Sequence, residues 1–150
     1  MPALHTISIA LRATALISAA CVVTAMVADA LRRSPGAWLV GLAVSHTVHL
    51  AFIVARVVTT GVWMPWYAIA GNAVFGGTAY IFIYWMAWRR RLDTRWTKVG
   101  IWWVWAILFL GYAPKAVATP WRGTVALALL SAAVFREIRR RVNQQPAASG

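Results

Sequence analysis

Two histidines three residues apart are the side chains of this sequence best suited to chemistry. They are His46 and His49, in the segment Ser45-His46-Thr47-Val48-His49. In a helix, that spacing places both imidazoles on one face. Imidazoles in this setting can ligate heme iron, bind a transition metal, or hydrogen-bond a hydroxyl on a facing helix. The residues alone leave these three uses open.

The depth of His46 in its predicted helix favours a functional role. His46 comes about 10 residues after Gly36, roughly 15 Å along a helix, which is near the midplane of a hydrocarbon core about 30 Å thick. Polar side chains are costly at that depth and by default mark a function. A dedicated zinc or copper site is weakly supported, because the pair supplies two ligands where such sites use three or four.

Two arginines complete the candidate cofactor-binding set of His46, His49, Arg12 and Arg56. Both arginines lie inside the outer ends of their predicted helices, where they can snorkel to lipid headgroups or pair with heme propionates. No catalytic residue is predicted, because all three carboxylates lie at one predicted membrane boundary and no nucleophile, base and acid share one depth.

The composition indicates that these residues are held by an integral membrane protein. Hydrophobic residues make up 61% of the 150 positions, ten are Trp, and 12% are charged, against about 25% charged in soluble domains. The net charge of +12 comes from basic residues clustered at the ends of apolar segments, as the positive-inside rule describes, and this argues against nucleic-acid binding. The single Cys21 cannot form an intrachain disulfide.

A window of about 20 residues predicts an all-α bundle of five transmembrane helices in one domain, residues 1–141, followed by a disordered tail, 142–150. The predicted spans are 7–31, 37–60, 66–88, 99–118 and 120–137. If all five cross, 11 of the 15 basic residues lie on one side. The sequence therefore predicts an outside N-terminus and a cytoplasmic C-terminus. We expect the membrane to be a bacterial inner membrane.

The tryptophans fall into two groups. Those expected at membrane–water interfaces are Trp63, Trp66, Trp85, Trp88, Trp96 and Trp121. Trp102, Trp103 and Trp105 lie deeper in the fourth helix, and their spacing points them to more than one face.

Four short motifs carry a family resemblance over the 110 residues from Arg32 to Arg141. They are Arg32-Arg33-Ser34-Pro35-Gly36 followed ten residues later by His46, Met64-Pro65-Trp66-Tyr67, Trp88-Arg89-Arg90-Arg91-Leu92, and Arg95-Trp96-Thr97-Lys98-Val99. In this order they resemble the ferric reductase-like transmembrane domain. The resemblance is greatest to its small bacterial branch, the heme-binding membrane subunits of methionine sulfoxide reductase systems.

The resemblance implies a heme-carrying electron-transfer protein with an incomplete ligand set. The family places two histidines on the helix after the Arg-Trp pair, where this chain has Gly100 and Ala113. Only His46 carries over as an iron ligand. The resemblance therefore implies at most one b heme, on His46, in place of two stacked hemes.

Two functions follow as hypotheses. One is membrane electron transfer with at most one b heme. The alternative is a cofactor-free accessory or scaffold subunit of a larger inner-membrane complex, which packs through small-residue faces such as Gly41 and Ser45. The expected partners are the lipid bilayer and other membrane subunits or a second copy. A transporter fits poorly, because no inverted repeat is evident.

Overall fold

A computed structural model describes residues 2–62 and 65–144, and these residues form helices without any strand. Five helices follow one another along the chain. They are α1 (Pro2–Ala30), α2 (Gly36–Thr60), α3 (Trp66–Gly71, a π-helical turn Asn72–Gly76, and Gly77–Arg89), α4 (Arg95–Tyr112) and α5 (Pro120–Gln144).

The all-helical prediction is confirmed, and each predicted span corresponds to one helix. Three stretches within the described residues are long and apolar enough to cross a membrane: Ala3–Ala30, Gly36–Thr60 and Ile69–Arg89. The helices α4 and α5 fall outside this group. Basic residues occupy the start of α4 and the second half of α5, which lowers the hydropathy of both.

The fourth helix differs from the predicted span 99–118 at both ends. It begins at Arg95 because Thr94 and Thr97 form a capping box, in which each side-chain oxygen accepts a hydrogen bond from the other residue's backbone N–H. It ends at Tyr112, since Pro114 cannot continue an α-helix and lies in a short 3-10 turn, Ala113–Lys115.

The fifth helix extends beyond its predicted end at residue 137. It continues to Gln144, three residues into the segment 142–150 predicted as a disordered tail, while 145–150 lie outside the described residues. Glu137 accepts hydrogen bonds from Arg140 and Arg141, three and four residues further on. Side-chain pairs at this spacing stabilise a helix.

The helices pack as a closed ring. Each helix contacts the next along the chain, and α5 returns to pack against α1. The ring encloses apolar side chains that are almost completely buried: Val22, Met26, Leu39, Leu42, Ile83, Met86, Ile101, Val104 and Leu129. The candidate histidines lie on α2, between α1 and α3.

Small residues bring α2 close to its neighbours, as the sequence predicts for Gly41. A Cβ at Gly41 would lie 3.2 Å from the Cys21 sulfur on α1. The glycines of α3 differ, because a Cβ at Gly71, Gly76 or Gly77 would meet no atom within 4 Å.

Candidate cofactor site at the histidine pair

The histidine pair lies against α1, and each imidazole meets one hydroxyl there. The His46 Nδ1 atom is 3.0 Å from Ser18 Oγ, and the His49 Nδ1 atom is 2.8 Å from Thr14 Oγ1. Both histidines are half-buried, whereas both hydroxyl residues are buried. The antiparallel packing of α1 and α2 produces this pairing, because Thr14 and Ser18 share one face of α1.

The hydrogen bonds of Thr14 favour one tautomer of His49. A threonine hydroxyl has one proton to donate. Thr14 Oγ1 lies 2.8 Å from the carbonyl oxygen of Ala10 and 3.2 Å from that of Leu11, and both atoms can only accept. The Thr14 proton is therefore directed to its own helix. Consequently His49 Nδ1–H donates to Thr14, and His49 Nε2 keeps its lone pair.

The same reasoning applies to His46. Ser18 Oγ donates to the carbonyl oxygen of Thr14 at 2.9 Å, so its two lone pairs remain to accept. One accepts from His46 Nδ1–H at 3.0 Å, and Ser18 Oγ also lies 2.9 Å from Ser45 Oγ, where either hydroxyl can be the donor. This assignment leaves the His46 Nε2 lone pair unprotonated.

The pair is thus arranged in the way that metal-ligating histidines are usually held. Such a histidine commonly donates its other ring N–H to a protein acceptor, which fixes both the tautomer and the ring orientation. The centroids of the His46 and His49 rings are 6.3 Å apart. In this assignment each imidazole donates through Nδ1 to a hydroxyl of α1, and its Nε2 carries the lone pair.

Two tyrosines of α3 complete the surroundings of the pair, and sequence reasoning missed them. Tyr80 donates its hydroxyl proton to the carbonyl oxygen of His46 at 2.9 Å, and its ring lies edge-on to the His46 ring with centroids 5.5 Å apart. One turn on, Tyr84 and Thr47 share a hydrogen bond of 2.6 Å. The i, i+4 spacing of two tyrosines in an apolar helix is the signal that could have indicated them.

The predicted arginines are not brought into contact with the histidines. Arg12 and Arg56 are exposed, and within residues 2–62 and 65–144 neither forms an ion pair. Their guanidinium groups stay available to anions outside the bundle.

Of the positions at which the resemblance implies heme ligands, His46 carries a side chain that could bind iron, and Gly100 and Ala113 do not. Gly100, which stands where the family has a histidine, is packed against α3, and a Cβ there would lie 2.9 Å from Phe82 Cδ1. Ala113 lies in the 3-10 turn after α4. Among the described residues, no three His, Cys, Asp or Glu side chains come together as metal ligands. If a heme were bound, His46 would be the residue to hold its iron.

The predicted interface tryptophans that the structure describes differ in exposure. Trp66, Trp85, Trp88 and Trp96 are exposed, whereas Trp121 packs edge-on against Tyr112. Trp63 lies outside the described residues.

The deeper tryptophans of α4 point to two sides of the helix. Trp103 Nε1 donates to Thr78 Oγ1 of α3 at 3.0 Å, and Trp105 Nε1 donates to the carbonyl oxygen of Leu129 in α5 at 2.8 Å. Trp102 lies beneath the Arg136 guanidinium. The prediction that they face more than one side is confirmed, and each of these indoles serves packing within the bundle.

Comparison with protein-family models, with curated proteins and with solved structures finds no match to this chain.

Proposed function

We propose that this chain is a multi-pass membrane protein of ferric reductase-like type that takes part in electron transfer, with one b heme ligated by His46. The observation that carries the proposal is the hydrogen-bond network on α1. It directs His46 Nδ1–H to Ser18 and leaves Nε2 as a lone-pair donor. A heme bound there supplies a one-electron redox centre.

Several residues of the chain would hold such a group, each through a different contact. Ser18 fixes the His46 ring, and Tyr80 anchors the backbone carbonyl of the same residue. His49 offers a second lone pair one turn away. Arg12 and Arg56 are exposed cations without an ion-pair partner in the part of the chain that the structure describes, so they are the candidates for propionate contacts.

The proposal includes five membrane spans, an outside N-terminus and a cytoplasmic C-terminus in a bacterial inner membrane. It is supported by the distribution of basic residues, 11 of 15 on one side when all five helices cross. A reporter fused after Gln144 that fluoresces only in the cytoplasm should be bright. A dark fusion that is still membrane-inserted would contradict the five-span topology.

The absorption spectrum of detergent-purified protein from heme-replete cells tests the heme. Wild type should show a Soret band that shifts on dithionite reduction, and His46→Ala should lose it while eluting at the same size. His5→Ala is the matched control, because His5 is exposed on α1 away from the pair. Added imidazole should restore the band in His46→Ala by replacing the missing ligand.

A cofactor-free accessory subunit is the second candidate. It is favoured by the packing of Phe82 against Gly100, which fills the position of the family's opposing ligand. A colourless wild-type protein that co-elutes with other membrane subunits would support this candidate and refute the heme proposal.

A further inference from the structure

An open pocket of about 690 Å³ lies where α1 ends, α4 begins and α5 reaches its last turns. Its volume is within the usual range for small-molecule sites. Its floor includes Leu92 and Trp102, and its rim is charged. The pocket is separate from the histidine pair and has no part in the proposed electron transfer.

One wall of the pocket is an ion pair between Asp29 and Arg136. Asp29 Oδ2 accepts a hydrogen bond from Arg136 Nε at 2.9 Å, and Arg136 Nη2 lies 2.8 Å from the same oxygen. Arg136 is only 8% exposed, and its guanidinium lies 5.5 Å from the centre of the Trp102 ring. The pair joins α1 to α5 and fixes the pocket wall. It also neutralises one of the two carboxylates in the lining.

The second carboxylate is neutralised in the same way. Glu137 accepts hydrogen bonds of 2.8 Å from Arg140 Nε, 2.8 Å from Arg140 Nη2 and 2.9 Å from Arg141 Nε. The remaining lining cations are Arg32 and Lys98, which form no ion pair with any described residue. The lining carries four basic side chains and two paired carboxylates, and it therefore favours an anion.

The end of α1 positions Arg32 at the pocket. Arg32 has a φ of +56°, in the left-handed region that favours glycine. It follows α1 in a Schellman motif, in which Arg33 N–H bonds to the Ala28 carbonyl and Arg32 N–H to the Asp29 carbonyl. The motif holds one of the two unpaired cations that line the pocket.

We infer that this pocket binds the phosphate group of an anionic phospholipid headgroup through Arg32 and Lys98. A lipid is favoured over a free phosphate because the apolar Leu92 and the Trp102 indole lie beside the cations. These groups suit the glycerol and upper acyl carbons, which inorganic phosphate lacks. The pocket also lies at the end of Ala3–Ala30, a helix long and apolar enough to span a membrane, which is the level of the headgroups.

Calorimetric titration of the full-length protein in a neutral detergent tests the inference. The probes are dihexanoyl phosphatidylglycerol, dihexanoyl phosphatidylcholine and inorganic phosphate. Wild type should bind the phosphatidylglycerol at least tenfold more tightly than either other probe. Replacing both unpaired cations, in R32Q/K98Q, should weaken phosphatidylglycerol binding by about tenfold or more. The single variant K98Q should give an intermediate loss.

The matched control removes the same charge from the same end of the protein. R33Q/R91Q replaces two exposed arginines that do not line the pocket, and its affinity should stay within twofold of wild type. An equal loss in both double variants would overturn the site in favour of diffuse surface charge. Equal binding of the phosphatidylcholine would overturn recognition of an anion. Inorganic phosphate that binds as tightly as the phosphatidylglycerol would overturn the lipid source.

Discussion

Ser18→Ala tests the hydrogen-bond network that fixes the tautomer of His46. The change removes the oxygen that accepts from His46 Nδ1–H at 3.0 Å and lies 2.9 Å from Ser45 Oγ. Ser45 keeps its backbone acceptor, the carbonyl of Leu42 at 3.1 Å, but the imidazole N–H loses its partner.

The size of the effect follows from what is left unpaired. A buried donor without an acceptor costs about 1–3 kcal/mol, and hydrogen bonds between membrane helices average about 0.6 kcal/mol with a maximum near 1.7. We therefore expect a loss of about 1–2 kcal/mol in the free energy of unfolding. Loss of a partner that orients a ligating histidine also lowers ligand affinity by about 10- to 100-fold.

Two assays measure the tautomer of His46 and the affinity for heme separately. Nitrogen-15 NMR of imidazole-labelled, heme-free protein should show the Nδ1–H tautomer for both His46 and His49 in the wild type. Ser18→Ala should release the His46 ring into a tautomer mixture while His49 is unchanged. Heme titration of the same samples should show the 10- to 100-fold weaker binding.

Thr24→Ala is the matched control, because Thr24 is also an α1 hydroxyl but bonds to its own helix, at the Ala20 carbonyl. It should leave both the tautomers and heme affinity unchanged. An Nε2–H tautomer of His46 in the wild type would refute the hydrogen-bond assignment. Heme affinity within twofold of wild type in Ser18→Ala would refute the positioning role of Ser18.

Three further substitutions test the packing and the charges, each by thermal or denaturant unfolding in detergent. Gly100→Ala should destabilise by about 1–3 kcal/mol, because its Cβ would lie 2.9 Å from Phe82 Cδ1. Asp29→Asn should cost about 2–3 kcal/mol, since it leaves the buried Arg136 guanidinium without its carboxylate. Arg32→Gly should stabilise by about 1 kcal/mol through relief of the left-handed backbone, and it should weaken phosphatidylglycerol binding.

Each of these has a counterpart that should behave differently. Gly71→Ala should not destabilise, because a Cβ there meets no atom within 4 Å. Asp93→Asn should cost less than about 1 kcal/mol, as its ion pair with Arg89 is half-exposed and 3.7 Å long. Arg33→Gly should bring no gain, because Arg33 does not have a positive φ. Equal effects within any of the three pairs would contradict the corresponding account.

The helices were predictable because apolar runs bounded by proline, glycine and basic residues are local signals. The helix α4 begins four residues before the predicted span. Hydropathy marks only the apolar part of a helix, whereas the capping box of Thr94 and Thr97 that starts α4 is a polar signal. The pair His46 and His49 was identified from its spacing alone. Its spacing could not show which hydroxyls face it, since that depends on the register between α1 and α2.

Contacts between residues far apart in the sequence could not be predicted from local sequence patterns. Asp29 and Arg136 are 107 residues apart, and they meet only because α5 closes the ring against α1. The positive φ of Arg32 was equally hidden, since glycine is the usual residue at that position of a helix end. The phosphate site proposed above depends on both features, and therefore it emerges only from the fold.

Heme stoichiometry tests the central claim most directly. A pyridine hemochrome assay on protein purified from heme-replete cells should give one b heme per chain. The same assay on His46→Ala should give none, and on His5→Ala it should again give one. Two hemes per wild-type chain, one heme retained in His46→Ala, or no heme in the wild type would each contradict a single heme held by His46.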